Sequence, residues 1–317
     1  MSTGKGKTRK VIVTAAVTGG IHTPTMTPYL PKGPAEVAQD AIDAAKAGAS
    51  IVHIHAREDV TGKPTADMDT FEKILTTVKR QTNAVIGITT GGAQGMTVEE
   101  RFSVVERFKP EMASANGGTI NFTLSKLADG PGMDDPKFDW EVPFLKGTYD
   151  NVFKNTFHDM EYCIRMMNKC GTFPEFEVFD YGQLSNLAHF KKMGILPKQI
   201  YLQFVTGVMG GMPMSLEGLM FVIDQAKKLL GSDIMYSMVA GGRRMFRFET
   251  VCAVTGGNVR VGLEDGIYIK PNGELAVNNA AQVEKIIRIL KDLDFEIATP
   301  EDVRETFELK GADKVEF

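Results

Sequence analysis

Two of the five histidines in this chain of 317 residues, His53 and His55, stand two apart in the apolar stretch IVHIHARE. Side chains alternate along a strand, so both imidazoles face one way and are able to converge on one ion. The competing reading of a histidine on an apolar strand is a satisfied core residue. Further on, VRVGLEDG sets Glu264 beside Asp265 at the end of another apolar run, where a buried carboxylate needs a partner. With the two histidines, Glu264 would complete a His, His, Glu set with an open fourth position, the arrangement of a catalytic zinc. The alternative for Glu264 is a salt bridge to Arg260 on the same strand.

Other strand ends are polar as well. ITTGG offers the hydroxyls of Thr89 and Thr90 and, at Gly91 and Gly92, backbone N–H groups for a carboxylate or phosphate, or else only a tight turn. MASANGG brings Ser114 and Asn116, small groups suited to orienting a substrate oxygen, and PEFEVFD carries Glu175 and Glu177 on one face with Asp180 at its end. Gly210 and Gly211 in VTGVMGGMP, and Arg243 and Arg244 in GGRR, are candidates for holding the phosphates of a nucleotide-bearing cofactor. The plainer reading is loop punctuation and surface charge.

The elements that must position these groups repeat along the chain. Strand-like runs at Val11–Val17, Ser50–Ala56, Ala84–Thr90, Met112–Asn116, Glu175–Phe179, Tyr201–Thr206, Met235–Ala240 and Asn258–Glu264 are each followed by a stretch of helical periodicity. Eight such units predict an α/β fold, a TIM (β/α)8 barrel whose functional groups cluster at the C-terminal ends of the strands. Strand eight then closes against strand one, within reach of strand two. One domain is predicted over 1–317, with 1–8 disordered and a long insertion after strand four, residues 122–156, over or near the barrel mouth. A lid, a subunit contact and a plain surface insertion are its three readings.

Composition narrows the class. Hydrophobic residues at 43% and charged residues at 24% describe an ordinary globular protein, and a net charge of -4 gives no basic field for nucleic acid. Cys163, Cys170 and Cys252 form no CxxC, so no disulfide framework or thiolate metal site is expected. The start MSTGKGKTRK lacks the apolar core of a signal peptide, and no run is long enough to span a membrane. The expectation is a cytoplasmic homo-oligomer acting on small molecules.

From about Lys10 to Thr306 the chain resembles the β-keto acid cleavage enzymes, whose named example is the 3-keto-5-aminohexanoate cleavage enzyme of lysine fermentation. The strings that carry the resemblance, in order, are TAAVTGG, GASIVHIHARE, ITTGG, KPEMAS, PEFEVFD, QFVTGVMGGM, AVTGGNVRVGLEDGIY and ATPEDVRE. The resemblance implies a zinc-dependent TIM barrel that exchanges acyl groups between a β-keto acid and acetyl-CoA, giving acetoacetate and a new CoA ester. It makes His53, His55 and Glu264 the zinc ligands and matches Thr89, Ser114, Glu177, Arg260 and Asp265 to active-site positions. Zinc would acidify the substrate C2 proton, Asp265 would remove it, and Arg260 would orient Asp265 or stabilise developing charge. Members that take an aminated keto acid carry a glutamate in the first loop where this chain has Ile21. A neutral or anionic distal group is therefore expected, with His22 favouring an anion if protonated and turned inward, or else standing outward as a surface histidine. Two alternatives stay open: a metal-dependent aldolase or lyase working through an enolate without CoA, and a metal-dependent sensor of small carboxylates.

Overall fold

The computed structural model describes residues 9–91 and 96–317. Eight parallel strands form the central sheet: β1 (Val13–Ala16), β2 (Ile51–Ile54), β3 (Val85–Ile88), β4 (Met112–Asn116), β5 (Phe173–Val178), β6 (Tyr201–Thr206), β7 (Met235–Ala240) and β8 (Val259–Val261). Their order is 7-6-5-4-3-2-1-8. A bridge from Ser237 in β7 to Asn258, just before β8, joins the two ends of the sheet into a barrel. The structure thus has the predicted (β/α)8 architecture, with β8 paired to β1 through Arg260 and Thr14.

Helices α1 (Gly33–Lys46), α2 (Met68–Gln81), α3 (Val98–Phe108), α5 (Phe157–Cys170), α6 (Tyr181–Lys192), α7 (Leu216–Leu230), α8 (Met245–Val254) and α9 (Asn279–Asp292) follow the strands in turn. Their ends are written locally. Thr97 and Thr156 open α3 and α5 with capping boxes, and Gly171 closes α5 in the left-handed conformation at φ 60. The main core lies between strands and helices, where Val13, Val52, Ile86, Phe176 and Leu202 meet the buried faces of the helices.

Inside the barrel the two ends differ. Ile12, Ile51, Val85, Met112, Phe173 and Tyr201 fill the N-terminal end, and α10 (Pro300–Phe307) seals it with Val303 and Phe307. The C-terminal half is polar, with Glu175, Gln203, Ser237 and Arg260 all buried. Apolar packing at one end frees the other for chemistry.

The strands are shorter than their apolar runs. Val11 leaves the barrel to pair, with Lys10, against Glu296–Ile297. Strand β8 stops at Val261 because Gly262 is pressed on β1: a Cβ there would fall 1.9 Å from the Ala16 carbonyl oxygen. The chain then turns, with Asp265 N–H donating to Gly262 O at 3.1 Å. Glu264 and Asp265 therefore sit on a turn above the strand.

After β4, the insertion forms a two-stranded antiparallel ladder, Ile120–Asn121 with Val152–Phe153, and a short helix α4 (Glu141–Gly147). Ala128, Met133 and Leu145 make a small core that includes Met26 of the loop after β1. The insertion touches three other loops on the C-terminal face. Glu141, 0% exposed, accepts from Thr25 N–H at 3.0 Å and from its hydroxyl at 2.9 Å; Trp140 Nε1 donates to Thr61 O; and Thr123 bridges Met209. Among the described residues no helix is long and apolar enough to cross a membrane. Residues 1–8, expected to be disordered, lie outside the described residues.

Candidate active site

His53 points from β2 into the barrel and is buried; His55 follows one step past the strand end. Their rings meet edge to face with centroids 5.2 Å apart. The turn after β8 brings Glu264 to them: its Oε1 is 3.4 Å from His55 Nε2 and 3.8 Å from His53 Nε2. One ligand atom from each of the three residues lies within 4.8 Å of the others, a spacing that fits a single cation. Gly19, at φ 56, makes room, since a Cβ there would fall 2.3 Å from Glu264 Cγ.

Glu264 makes the salt bridge and keeps a second oxygen for another partner. Arg260 Nη2 donates to Oε1 at 2.6 Å, while Oε2 is buried with no hydrogen-bond partner, as is His53 Nδ1. An uncompensated buried carboxylate oxygen is costly, and a cation would satisfy it. Burial pushes His53 down to about 3, against the pull of Glu264, so its imidazole is neutral as a metal ligand must be. Burial works against the Glu264 anion, but His55, Arg260 and His53 outweigh it and hold the carboxyl well below its usual range. Two imidazoles and one carboxylate fit zinc better than magnesium or calcium.

Arg260 organises the floor beneath this group. Its Nε and Nη2 grip Asp265 at 2.8 and 3.0 Å, and Nη1 donates to Gln203 Oε1 at 2.8 Å. Gln203 in turn donates to Glu175 Oε1 at 2.9 Å, and the Arg260 backbone N–H donates to Glu249 of α8. Burial, partly offset by Arg260, raises Glu175 to about 7. Asp265 also stands above its ordinary value, because burial and the neighbouring Glu264 outweigh the guanidinium. Arg260 is thus a fixed cation shared by Glu264 and Asp265.

The rest of the rim comes from β3, β4, β5 and the first loop. Thr89 is buried at the end of β3, its hydroxyl accepting from Gly91 N–H at 3.0 Å. Ser114 Oγ accepts from Thr90 N–H at 3.1 Å, which leaves its own proton to donate. Glu177 Oε2 accepts from Asn116 Nδ2 at 2.9 Å, and burial raises this carboxyl too. Gly92 lies outside the described residues. Ile21 is half-buried in the loop after β1. Next to it, His22 is turned inward with Nδ1 2.9 Å from Leu263 O, and burial pushes it down to about 4. A protonated His22 that draws an anion, one sequence expectation, is thereby corrected: the ring is neutral near pH 7.

Gly210 and Gly211 lie elsewhere on the face, under the insertion. A Cβ on Gly210 would fall 1.5 Å from Asn121 O, and Gly211 N–H is engaged by Val208 O. Both positions serve close packing. Arg243 sits on the loop after β7, its guanidinium 5.0 Å from the Tyr268 ring centroid.

Sequence reasoning passed over Arg57, Gln203 and Arg101. Arg57, 0% exposed, donates to Thr18 O and His22 O at 2.9 and 2.8 Å and so fixes the first loop against β2. Arg101 of α3 ties Thr90 O to Asn116 and Asn155. The signal was present at Arg57 and Gln203, polar residues inside apolar strand strings; a helical arginine such as Arg101 carries none.

Comparison with known proteins follows the same outline. Residues 10–309 match the beta-keto acid cleavage enzyme family. The chain is 42% identical over 309 residues to the 3,5-dioxohexanoate:acetyl-CoA acetone transferase of Paraburkholderia graminis, covering 98% of this chain and 99% of that protein. It is 35% identical over 302 residues to the 3-keto-5-aminohexanoate cleavage enzyme of Fusobacterium nucleatum subsp. nucleatum, covering 95% and 98%. Among solved structures, apo ObcA superposes with a TM-score of 0.67 at 19% identity, over 89% of this chain and 66% of that one, a likeness of fold alone. A family model that spans residues 10–309 and a relative 42% identical over 98% of this chain place the chain in the beta-keto acid cleavage enzyme family.

Proposed function

We propose that this protein transfers the acetyl group of acetyl-CoA to C2 of a β-keto acid and releases acetoacetate and a new CoA ester, with a divalent cation, zinc by preference, on His53, His55 and Glu264. The observation that carries the reading is a Glu264 carboxylate that sets Oε1 against two converging imidazoles and keeps Oε2 buried and unpaired, with Asp265 held beside it by Arg260. Relatives named as acetyl-CoA transferases acting on 3,5-dioxohexanoate and 3-dehydrocarnitine support it.

A bound cation would supply Lewis acidity to the ketone and carboxylate oxygens of the substrate. Asp265 accepts the C2 proton at a carboxylate oxygen, and its raised basicity suits the task. Arg260 holds that carboxylate in place throughout. Ser114 and Thr89 donate hydroxyl hydrogens to the substrate carboxylate, and Glu177, steadied by Asn116, stands by for a second proton transfer. The C2 carbanion forms a bond to the acetyl carbonyl carbon and the C–S bond breaks. The freed CoA thiolate then adds to the original C3 carbonyl. Breaking C2–C3 leaves the new CoA ester and returns the electron pair to C2, which regains its proton from Asp265. No covalent enzyme intermediate is needed, which fits the burial of all three cysteines.

Ile21 in the first loop, and a relative whose named substrate is 3,5-dioxohexanoate, favour a neutral distal group. A homo-oligomer in the cytoplasm completes the proposal.

The test is CoA-ester formation from acetyl-CoA and β-keto acids by wild type and Asp265→Asn. The amide keeps the shape and loses the basic oxygen, so turnover should fall about 100-fold or more with metal content and fold retained. Near-normal turnover assigns the proton transfer to another group.

A further inference from the structure

A groove of about 410 Å³ opens on the outer side of the barrel mouth between α8 and α9. Arg243, Arg247 and Lys285 edge it, and Phe246, Pro271 and Ile289 give it an apolar lining. Arg243 and Arg247 are exposed, and among the described residues neither takes part in an ion pair. The half-buried Lys285 ammonium lies 4.2 Å from the Phe246 ring centroid and donates to Ile269 O. Three cations gathered on one concave surface repel one another, and an anion between them removes that cost. Guanidinium groups beside an aromatic and apolar wall suit a phosphorylated nucleoside, with phosphate on the arginines and base against the wall.

The groove is joined to the active site through backbone. Arg243 follows Gly241 and Gly242 on the loop after β7, and Gly242 N–H donates to the carbonyl oxygen of Asp265 at 3.3 Å. Tyr268 and Gly273, on the loop after β8, seat the Arg243 guanidinium from the other side. This rim lies between the groove and the turn that carries Asp265. Loops after strands seven and eight are a recurrent place for phosphate in barrels of this kind. The Gly210–Gly211 turn is unsuited to the task, since Gly211 N–H is already bonded and Gly210 is packed on Asn121.

We infer that this groove, with Arg243, Arg247 and Lys285, holds the phosphorylated adenosine end of acetyl-CoA while its thioester arm crosses the Gly241–Arg243 rim to the metal site. The inference rests on the acetyl-CoA reading above and assigns it a place on the molecule.

The experiment compares acetyl-CoA with acetyl-pantetheine, which keeps the thioester and lacks the nucleotide, in wild type, Arg247→Glu and Lys285→Gln, with binding of adenosine 3′,5′-bisphosphate followed by calorimetry. Wild type should prefer acetyl-CoA, and Arg247→Glu should narrow that preference about tenfold through the KM for acetyl-CoA, because a charge-assisted phosphate contact is replaced by repulsion. Lys285→Gln should narrow it in the same direction, and the bisphosphate should bind wild type and be lost in Arg247→Glu. An unchanged preference in both variants, or equal bisphosphate binding by wild type and Arg247→Glu, overturns the groove. If neither thioester is turned over by wild type, the acetyl-CoA reading fails, and the calorimetry still decides whether the groove takes a nucleotide.

Discussion

At Glu264, Oε1 takes Arg260 and lies against His53 and His55, while Oε2 is buried with no hydrogen on offer. Purified protein should therefore carry about one divalent metal per chain, read by elemental analysis. His53→Ala and His55→Ala should each empty the site; full occupancy in both variants would rule it out. Ile21 poses a separate question of selectivity. An ammonium brought against an isoleucine has no anion to meet, and with His22 neutral the distal end of the substrate faces no formal charge from this pair. Desolvating a lone ammonium costs several kcal/mol, enough to shift preference by about tenfold or more. Wild type should have a higher kcat/KM for a neutral β-keto acid than for an aminated one of equal length, and Ile21→Glu should move the ratio toward the aminated compound. A wild type that favours the aminated substrate would mean that another carboxylate, from the insertion with Asp134, Asp135 and Asp139, reaches the pocket.

At the scale of elements, the insertion after β4 is fastened to the loop that carries Ile21. Glu141 accepts from Thr25 N–H, Thr25 Oγ1 and Phe138 N–H, and Lys137 adds bonds back to Thr25 and Pro24. Glu141→Ala would leave buried donors unpaired, at a cost of about 3 kcal/mol. Because such losses act first on the least stable unit, hydrogen exchange should rise across 121–153 and in the loop around Thr25 while the barrel strands keep their protection. Unchanged exchange in both segments would show that Glu141 does not fasten them. The sequence displayed the length and turn-rich composition of this segment, and its position after strand four placed it on the correct face. It did not display the Glu141–Thr25 contact, because a pair 116 residues apart leaves no local pattern.

Strand identity was legible because buried parallel strands are apolar on both faces, and all eight runs found their place in the sheet order. Strand ends were not. Ser50–Ala56 shrinks to Ile51–Ile54 and Asn258–Glu264 to Val259–Val261, since apolar character persists into turns that pack on the barrel. At β8 the marker was Gly262, whose close approach to Ala16 ends the strand and lifts Glu264 toward the histidines. In the site, period-two spacing announced His53 and His55, and adjacent carboxylates announced Glu264 and Asp265. Arg57 and Gln203 stood out as polar residues in apolar strings, but their roles did not, because the partners, the first loop for Arg57 and Glu175, Ser237 and Arg260 for Gln203, lie far along the chain.

For the molecule as a whole, an apolar barrel floor sealed by α10 and a polar mouth roofed in part by the insertion make one end stable and the other reactive. The central claim is that acetyl moves intact from acetyl-CoA onto C2 of the keto acid. The most direct measurement supplies metal-loaded enzyme with a β-keto acid and acetyl-CoA carrying carbon-13 at the thioester carbonyl, and follows the label by NMR. The label should appear at C3 of acetoacetate and be absent from the new CoA ester. Cleavage of the keto acid without acetyl-CoA, or acetoacetate free of label, would contradict the account.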